Sequence, residues 1–352
     1  LSPLETMLNE HFENDAIKAT LGCWTLANFS KMSDIGSGIY LTVLTGIHNF
    51  GVKRPVGGTG QIARALAVCA TTHGAEIRVN APVDKIIVRN GKATGVALKS
   101  GEEIKAKQVI GSVDPIILGT KLIEASDLPR STHMQLEALK GNIAPINVVK
   151  IDLALRKRPT FSGFGHENVH PEVLGGVTLP ESTDELRAIE DLCAQGTYDK
   201  KKLALITYMP SIFDRTLVPD NSEGEYMYIN ACNVPYKLSE GRSWENHLND
   251  YVDGAIDTVE RYAPGFRDLI IDVHAVAPDQ FEKKYNNFRG NYAQVNMSSP
   301  SELGPWRPIP DFGNNKTPID GLWNASAGSH PVPYLNGWAG RIVAGEILKI
   351  LK

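Results

Sequence analysis

Cysteine is scarce in this 352-residue chain, and its four copies, Cys23, Cys69, Cys193 and Cys232, lie far apart with no C-x-x-C among them. That spacing excludes a disulfide framework and a structural zinc site, and reduced thiols fit a cytoplasmic protein. Positive charge is not in surplus either: 36 Lys and Arg stand against 40 Asp and Glu, a net −4. Nucleic-acid binding wants a basic face, so that class of partner is excluded. No apolar run reaches the roughly 18 residues of a spanning helix, although peripheral contact with a membrane stays open. Internal repeats and low-complexity tracts are absent. What remains is ordinary for a globular protein, 42% hydrophobic and 22% charged. At about 150 residues per domain the length fits two domains.

Periodicity divides the chain. Residues 1–30 read as helical, with Leu4, Met7, Leu8 and Phe12 at helix spacing and Ser2 and Glu5 as a capping box. In 31–55 the glycines Gly36, Gly38, Gly46 and Gly51 break any long element. Gly57-Gly58-Thr59-Gly60 opens a helix over 61–73 whose apolar face is Ile62, Leu66 and Cys69. A short strand is expected at 75–79. Strands at 83–88, 93–99 and 103–106 follow as a meander, the first turn marked by Asn90-Gly91. Another buried strand at 108–112 ends at Asp114-Pro115. From 116 to 300 helices (128–140, 181–193, 244–262) alternate with strands (146–155, 203–210, 226–234, 270–277). Residues 285–319 are loop, rich in Asn, Pro and Gly. A strand at 321–327 breaks at Gly328-Ser329-His330-Pro331, and a final amphipathic helix covers 341–351.

Gly58-Thr59-Gly60-Gln61-Ile62-Ala63 matches G-x-G-x-x-G/A, a turn that brings backbone to a pyrophosphate. That use requires a preceding buried strand. Here the residues before it include Gly51, Lys53, Arg54 and Pro55, so a glycine turn packing a helix is the better reading. A nicotinamide enzyme built on this motif is disfavoured for the same reason. His166 and His170 are four apart but not on a helix, so no metal is expected there. No Ser-His-Asp constellation can be assembled. The glycine break at Gly328, with Asn336-Gly337-Trp338-Ala339-Gly340 at the start of the last helix, could receive an anionic or carbonyl oxygen.

Several of these stretches together resemble the phytoene-desaturase-like branch of the FAD-dependent amine-oxidase-type flavoproteins. They are the glycine-rich helix start with Gly74-Ala75-Glu76-Ile77, then Ala93-Thr94-Gly95-Val96, then Val109-Ile110 to Asp114-Pro115. Gly321-Leu322-Trp323 to Gly328-Ser329-His330-Pro331 and on to Gly340-Arg341 is similar to the closing flavin motif. Arg289-Gly290-Asn291 and Trp306-Arg307-Pro308 resemble the carotenoid desaturases and isomerases of that group. Two departures stand out. The family's N-terminal βαβ unit is missing and would precede Leu1, so the chain is expected to be the C-terminal two-thirds of such a protein. The glycine-rich turn after His-Pro is replaced by the bulkier Val332-Pro333-Tyr334-Leu335.

The resemblance implies an α/β fold: an incomplete FAD-binding domain, with a parallel sheet and a three-stranded β-meander, joined to an α+β substrate domain. Residues 56–115 and 300–352 are expected in the first, 1–55 and 116–299 in the second. It implies FAD as cofactor of the complete protein, bound weakly or not at all by this chain alone. An apolar or conjugated small molecule is the implied substrate, and an N-terminal FAD-binding segment or chain the implied partner. By resemblance Val83 presents backbone to the adenine, Gly328 abuts the pyrophosphate, and Asn336, Gly337 and Trp338 meet the isoalloxazine. No catalytic residue is named, because the flavin carries the hydride chemistry. The alternative is a flavin-free binding or partner subunit of a larger complex.

Overall fold

The computed structural model describes residues 2–27, 29–51, 53–144, 146–162, 175–296, 302–331 and 336–351. The helices are α1 (Leu4–His11), α2 (Asp15–Leu26), α3 (Ile39–Phe50), α4 (Gly60–Thr72), α5 (Pro115–Ile117), α6 (Arg130–Asn142), α7 (Thr183–Ala194), α8 (Trp244–Tyr262), α9 (Phe266–Leu269), α10 (Pro278–Tyr285) and α11 (Trp338–Ile350). The strands are β1 (Val83–Arg89), β2 (Lys92–Leu98), β3 (Glu103–Lys105), β4 (Val109–Gly111), β5 (Ile146–Leu155), β6 (Gly176–Thr178), β7 (Ala204–Tyr208), β8 (Glu225–Pro235), β9 (Ile270–Val276) and β10 (Leu322–Asn324). They fall into two units, one of Arg78–Ala144 and Gln280–Lys352, the other of Ser2–Ile77 and Pro145–Asp279. Both mix helix and sheet.

In the first unit β1, β2 and β3 form an antiparallel meander. Asn90 and Gly91 both take positive φ, +52° and +72°, the geometry an Asn-Gly hairpin turn prefers. β4 and β10 pair in parallel, Leu322 opposite Val109 and Asn324 opposite Gly111. Val109, Ile116, Leu118, Leu136, Phe312 and Leu322 form the core beneath them.

The second unit is built on an antiparallel sheet of five strands in the order β6-β7-β8-β5-β9. β8 alternates as a half-buried strand should: Met227, Ile229 and Ala231 are buried, Tyr226, Tyr228 and Asn230 half-buried. The inner face packs on α8 through Trp244, Tyr251, Ala255 and Val259. On the other face α2 and α7 cover Ala204, Ile206 and Cys232 with Cys23, Leu186 and Ile189.

Four expectations need correction. The expected N-terminal helix is two helices, α1 and α2, and Pro3 rather than Ser2 stands at the N-cap of α1 without a side-chain cap. Glu5 there reaches Arg187 instead of completing a capping box. Residues 31–55 contain α3 despite Gly46: buried Tyr40 and Leu44 outweigh the roughly 1 kcal/mol a helical glycine costs. No strand forms at 75–79, where every residue is exposed and no strand among the described residues offers backbone partners. β10 stops at Asn324, because the chain turns through Ser326 and Ser329. The units also divide the chain elsewhere than at 56, 115 and 300: α4 falls in the second unit, and residues 116–144 and 280–299 in the first.

Candidate functional site

The carboxyl ends of parallel strands are where α/β sheets hold ligands, so the ends of β4 and β10 lead to the site. Asp114 follows β4 and is buried. Its carboxylate accepts the N–H of Ile116 and of Phe288, both at 2.8 Å, tying two loops together. Burial pushes this carboxyl up to about 6 against the pull of those N–H groups. Pro115 then lies where a Cβ on Gly328 would stand, 2.5 Å from it. Gly328 is therefore a glycine because of this close approach. Its N–H is already donated to Gln294 Oε1 at 2.7 Å and to Ser326 Oγ at 3.2 Å.

Around that corner the chain buries a dense set of amides. Asn315 Nδ2 donates to the carbonyls of Asn324 and His330, both at 3.0 Å, and lies 3.1 Å from Ser329 Oγ. Asn315, Asn324 and Ser329 have no exposed surface. Arg307, also fully buried, spans the other side. Its guanidinium donates to five main-chain carbonyls, those of Ala293, Val295, Asn296, Glu302 and Ala327, at 2.7–3.2 Å. Within this scaffold six buried polar atoms have no hydrogen-bond partner among the described residues: both side-chain atoms of Asn324, Asn315 Oδ1, Asn291 Nδ2, Asn296 Oδ1 and His330 Nδ1. Folded proteins rarely leave such groups unpaired, since each costs about 1–3 kcal/mol. Concentrated donors and acceptors at a strand end fit a planar ligand with alternating carbonyl and N–H edges, as the pyrimidine edge of a flavin has.

The expected site residues occupy three places. Val83 is half-buried at the start of β1, opposite Leu98. Gly328 sits at the Pro115 corner. Asn336, Gly337 and Trp338 come together at the start of α11, where Asn336 Oδ1 accepts the Trp338 N–H at 2.8 Å and all three are exposed. Gly337 takes φ +66°, and a Cβ there would meet nothing within 4 Å among the described residues. Gly337→Val is accordingly expected to cost about 1–2 kcal/mol through backbone strain alone, without steric clash. A thermal melt checks this, and an unchanged melting temperature would contradict it. Residues 332–335 of the bulky turn, and His166 and His170, lie outside the described residues.

Asn291, Asn296, Asn315 and Asn324 escaped sequence reasoning. Asn291 stood only within the Arg289-Gly290-Asn291 resemblance, the Asn-rich composition of 285–319 marked Asn296 and Asn315 as loop residues, and nothing marked Asn324. Among the described residues no cluster of His, Cys, Asp or Glu could hold a metal ion, and all four cysteines are free. At the Gly58–Ala63 turn Asp214 Oδ2 already accepts the N–H of the preceding Gly57 at 2.7 Å, and the Gly58 N–H goes to the Pro55 carbonyl. Bonds to Thr216 and to that turn hold the Asp214 carboxyl below its usual range.

The family described as flavin containing amine oxidoreductase matches residues 5–221. A rat protein, pyridine nucleotide-disulfide oxidoreductase domain-containing protein 2, is 28% identical over 363 residues, covering 100% of this chain and 61% of that protein. The neurosporene-forming phytoene desaturase of Rhodobacter capsulatus is 27% identical over 315 residues, 88% of this chain and 56% of the desaturase. The chain thus spans about three-fifths of the length of these relatives. Among solved structures, an oxidoreductase from Methanosarcina mazei superposes with a TM-score of 0.66 at 15% identity, covering 99% of this chain and 68% of the other. That last likeness is one of fold.

Proposed function

The chain belongs to the flavin-containing amine oxidoreductase family, and on that premise we propose that it is the greater part of an FAD-dependent oxidoreductase. The reaction is of the desaturase, isomerase or dehydrogenase type, on an apolar or conjugated substrate. The observation that carries this reading is the group of buried amides beside the ends of β4 and β10 that find no partner among the described residues. Bound there, FAD supplies the hydride-accepting chemistry. The protein's part is to hold and orient. Asn324, Asn315 and His330 would pair with the polar edge of the ring. The N–H groups opening α11, at Gly337 and Trp338 after Asn336, carry the partial positive charge of a helix start and suit a carbonyl or phosphate oxygen. Val83 would present backbone to the adenine, and the Gly328 corner would stand beside the pyrophosphate. The first unit is then the FAD-domain portion and the second the substrate domain.

An N-terminal FAD-binding segment or chain completes this reading. A parallel pair of only two strands is unusual, because parallel sheets are normally wider and covered on both faces. Ile110 on β4 is left half exposed. In the second unit Leu66 and Cys69 of α4 are exposed and Ile62 is half-buried, so most of the apolar face expected for that helix is uncovered among the described residues. A cytoplasmic location is proposed from the four free thiols. No described helix is long and apolar enough to cross a membrane.

The test uses the protein expressed from its full reading frame. It is expected to purify with bound flavin, read from its visible absorbance. Asn324→Leu should lower flavin per folded molecule at least tenfold while leaving the flavin-free protein as stable or slightly more so. Removing an orphaned buried amide relieves its desolvation cost. Unchanged flavin content in Asn324→Leu overturns the site. A protein without flavin points to the flavin-free partner subunit instead.

A further inference from the structure

We propose that the open part of the five-stranded sheet in the second unit binds the carboxylate end of an otherwise apolar substrate, and that Arg54 selects for that end. The proposal rests on the reading of the second unit as the substrate domain.

Register sets the surface. Tyr208 pairs with Tyr228, Tyr228 with Asp152, and Asp152 with His274, so four strands place these side chains in one row on one face. Lys150 and Asn230 stand in the row on one side of it, Tyr226 and Asp272 in the row on the other. α2 and α7 cover Ala204, Ile206 and Cys232 on this face but leave the tyrosine row half-buried. Tyr208 and Tyr228 stack with ring centroids 4.8 Å apart. Arg54 lies over both rings, 5.6 Å from the centroid of Tyr228 and 5.9 Å from that of Tyr208, and donates Nη2–H to the Tyr228 hydroxyl at 2.7 Å.

Charge decides what such a wall can take. Lys150 is neutralised by the adjacent Asp152, which also accepts the Tyr226 hydroxyl at 2.5 Å. Asp272 is exposed on the edge strand β9, two strands from β8, about 10 Å at roughly 4.8 Å per strand. Arg54 has no carboxylate partner among the described residues, and stacking on the rings fixes the plane of its guanidinium. One unneutralised planar fork matches one carboxylate, which it can take in a bidentate pair. The tyrosine rings beside it offer a flat apolar surface to the carbon chain that follows. A wholly hydrocarbon substrate would use the rings and leave Arg54 idle.

cis-Parinaric acid, a conjugated polyene carboxylate that fluoresces on leaving water, and its methyl ester provide the test on the 352-residue chain. The acid is expected to bind about tenfold or more tightly than the ester, as a charge-assisted pair would give. Arg54→Met should abolish that preference, leaving ester binding unchanged. Arg54→Lys should retain part of it. Arg54 is exposed, so folding is expected to survive both changes, and a circular-dichroism melt checks this. Equal binding of acid and ester, an undiminished preference in Arg54→Met, or no binding of either overturns the proposal. The readout involves no flavin, so its failure is distinguishable from a failure of flavin binding in the full-length protein.

Discussion

Replacing Arg307 by methionine is expected to destabilise the first unit by about 3–5 kcal/mol, from the buried main-chain acceptors it leaves unpaired. Methionine keeps much of the volume and removes every donor. Five carbonyls, of Ala293, Val295, Asn296, Glu302 and Ala327, then lose a hydrogen bond, the first three of them buried away from water. Even at the low end of about 1 kcal/mol per orphaned group the sum reaches that range. A domain is stable by about 5–15 kcal/mol in all, so the loss is a large fraction. Arg307→Lys should recover less than half, since an ammonium has three donors and no planar fork. Hydrogen exchange of the amides in β4 and β10, followed in urea, reads the effect where it acts. A change below about 0.5 kcal/mol would show that the carbonyls find other partners. The same substitution should loosen the loop that carries Asn291 and Asn296, and with it the pre-organised polar corner beside Gly328.

How much of this was legible follows from the range over which each signal acts. The meander was, because Asn90-Gly91 specifies its own turn and alternating residues specify the flanking strands. The helix over 244–262 was, since its apolar stripe is a local period that the core of the second unit uses directly. The strand at 75–79 was misread for the converse reason: Ile77 and Val79 have strand composition, but a strand exists only with a partner, and here both are exposed. Gly46 misled in the other direction, because a single residue's propensity yields to the burial of Tyr40 and Leu44. The site divides along the same line. The glycine at 328 and the start of α11 are the parts of the proposed site that the chain alone suggests. The Asn315–Asn324 amide cluster and the Arg307 hub could not, since their partners are main-chain atoms brought in by loops. The row Tyr208-Tyr228-Asp152-His274 draws one residue from each of four strands. Only the alternation of Tyr226, Tyr228 and Asn230 hints at it in sequence.

In the second unit, Glu190→Gln is expected to raise stability by about 3 kcal/mol above pH 7 and to change nothing below about pH 4.5. Glu190 lies on α7, 6% exposed, and accepts the Met32 N–H at 3.0 Å. Burial pushes its carboxyl from 4.5 up to about 7. The Met32 bond and Lys31 oppose that rise, while Asp34 and Glu5 add to it. The folded protein therefore holds this proton where the unfolded chain has released it. Stability from Glu190 is complete below 4.5, falls as pH climbs from there to about 7, and stays at its lower value beyond. At about 1.4 kcal/mol per pH unit, a rise from 4.5 to about 7 corresponds to the roughly 3 kcal/mol expected. Glutamine keeps an acceptor for the Met32 N–H and cannot ionise, so its stability should lack this slope. Asp114, whose carboxyl is also raised, titrates alike in both proteins and cancels in the difference. Urea midpoints of the two proteins between about pH 4 and pH 8.5 measure it. Curves that stay parallel across that window would mean that Glu190 is ionised in the fold at no cost, its charge carried by Lys31 and the Met32 N–H.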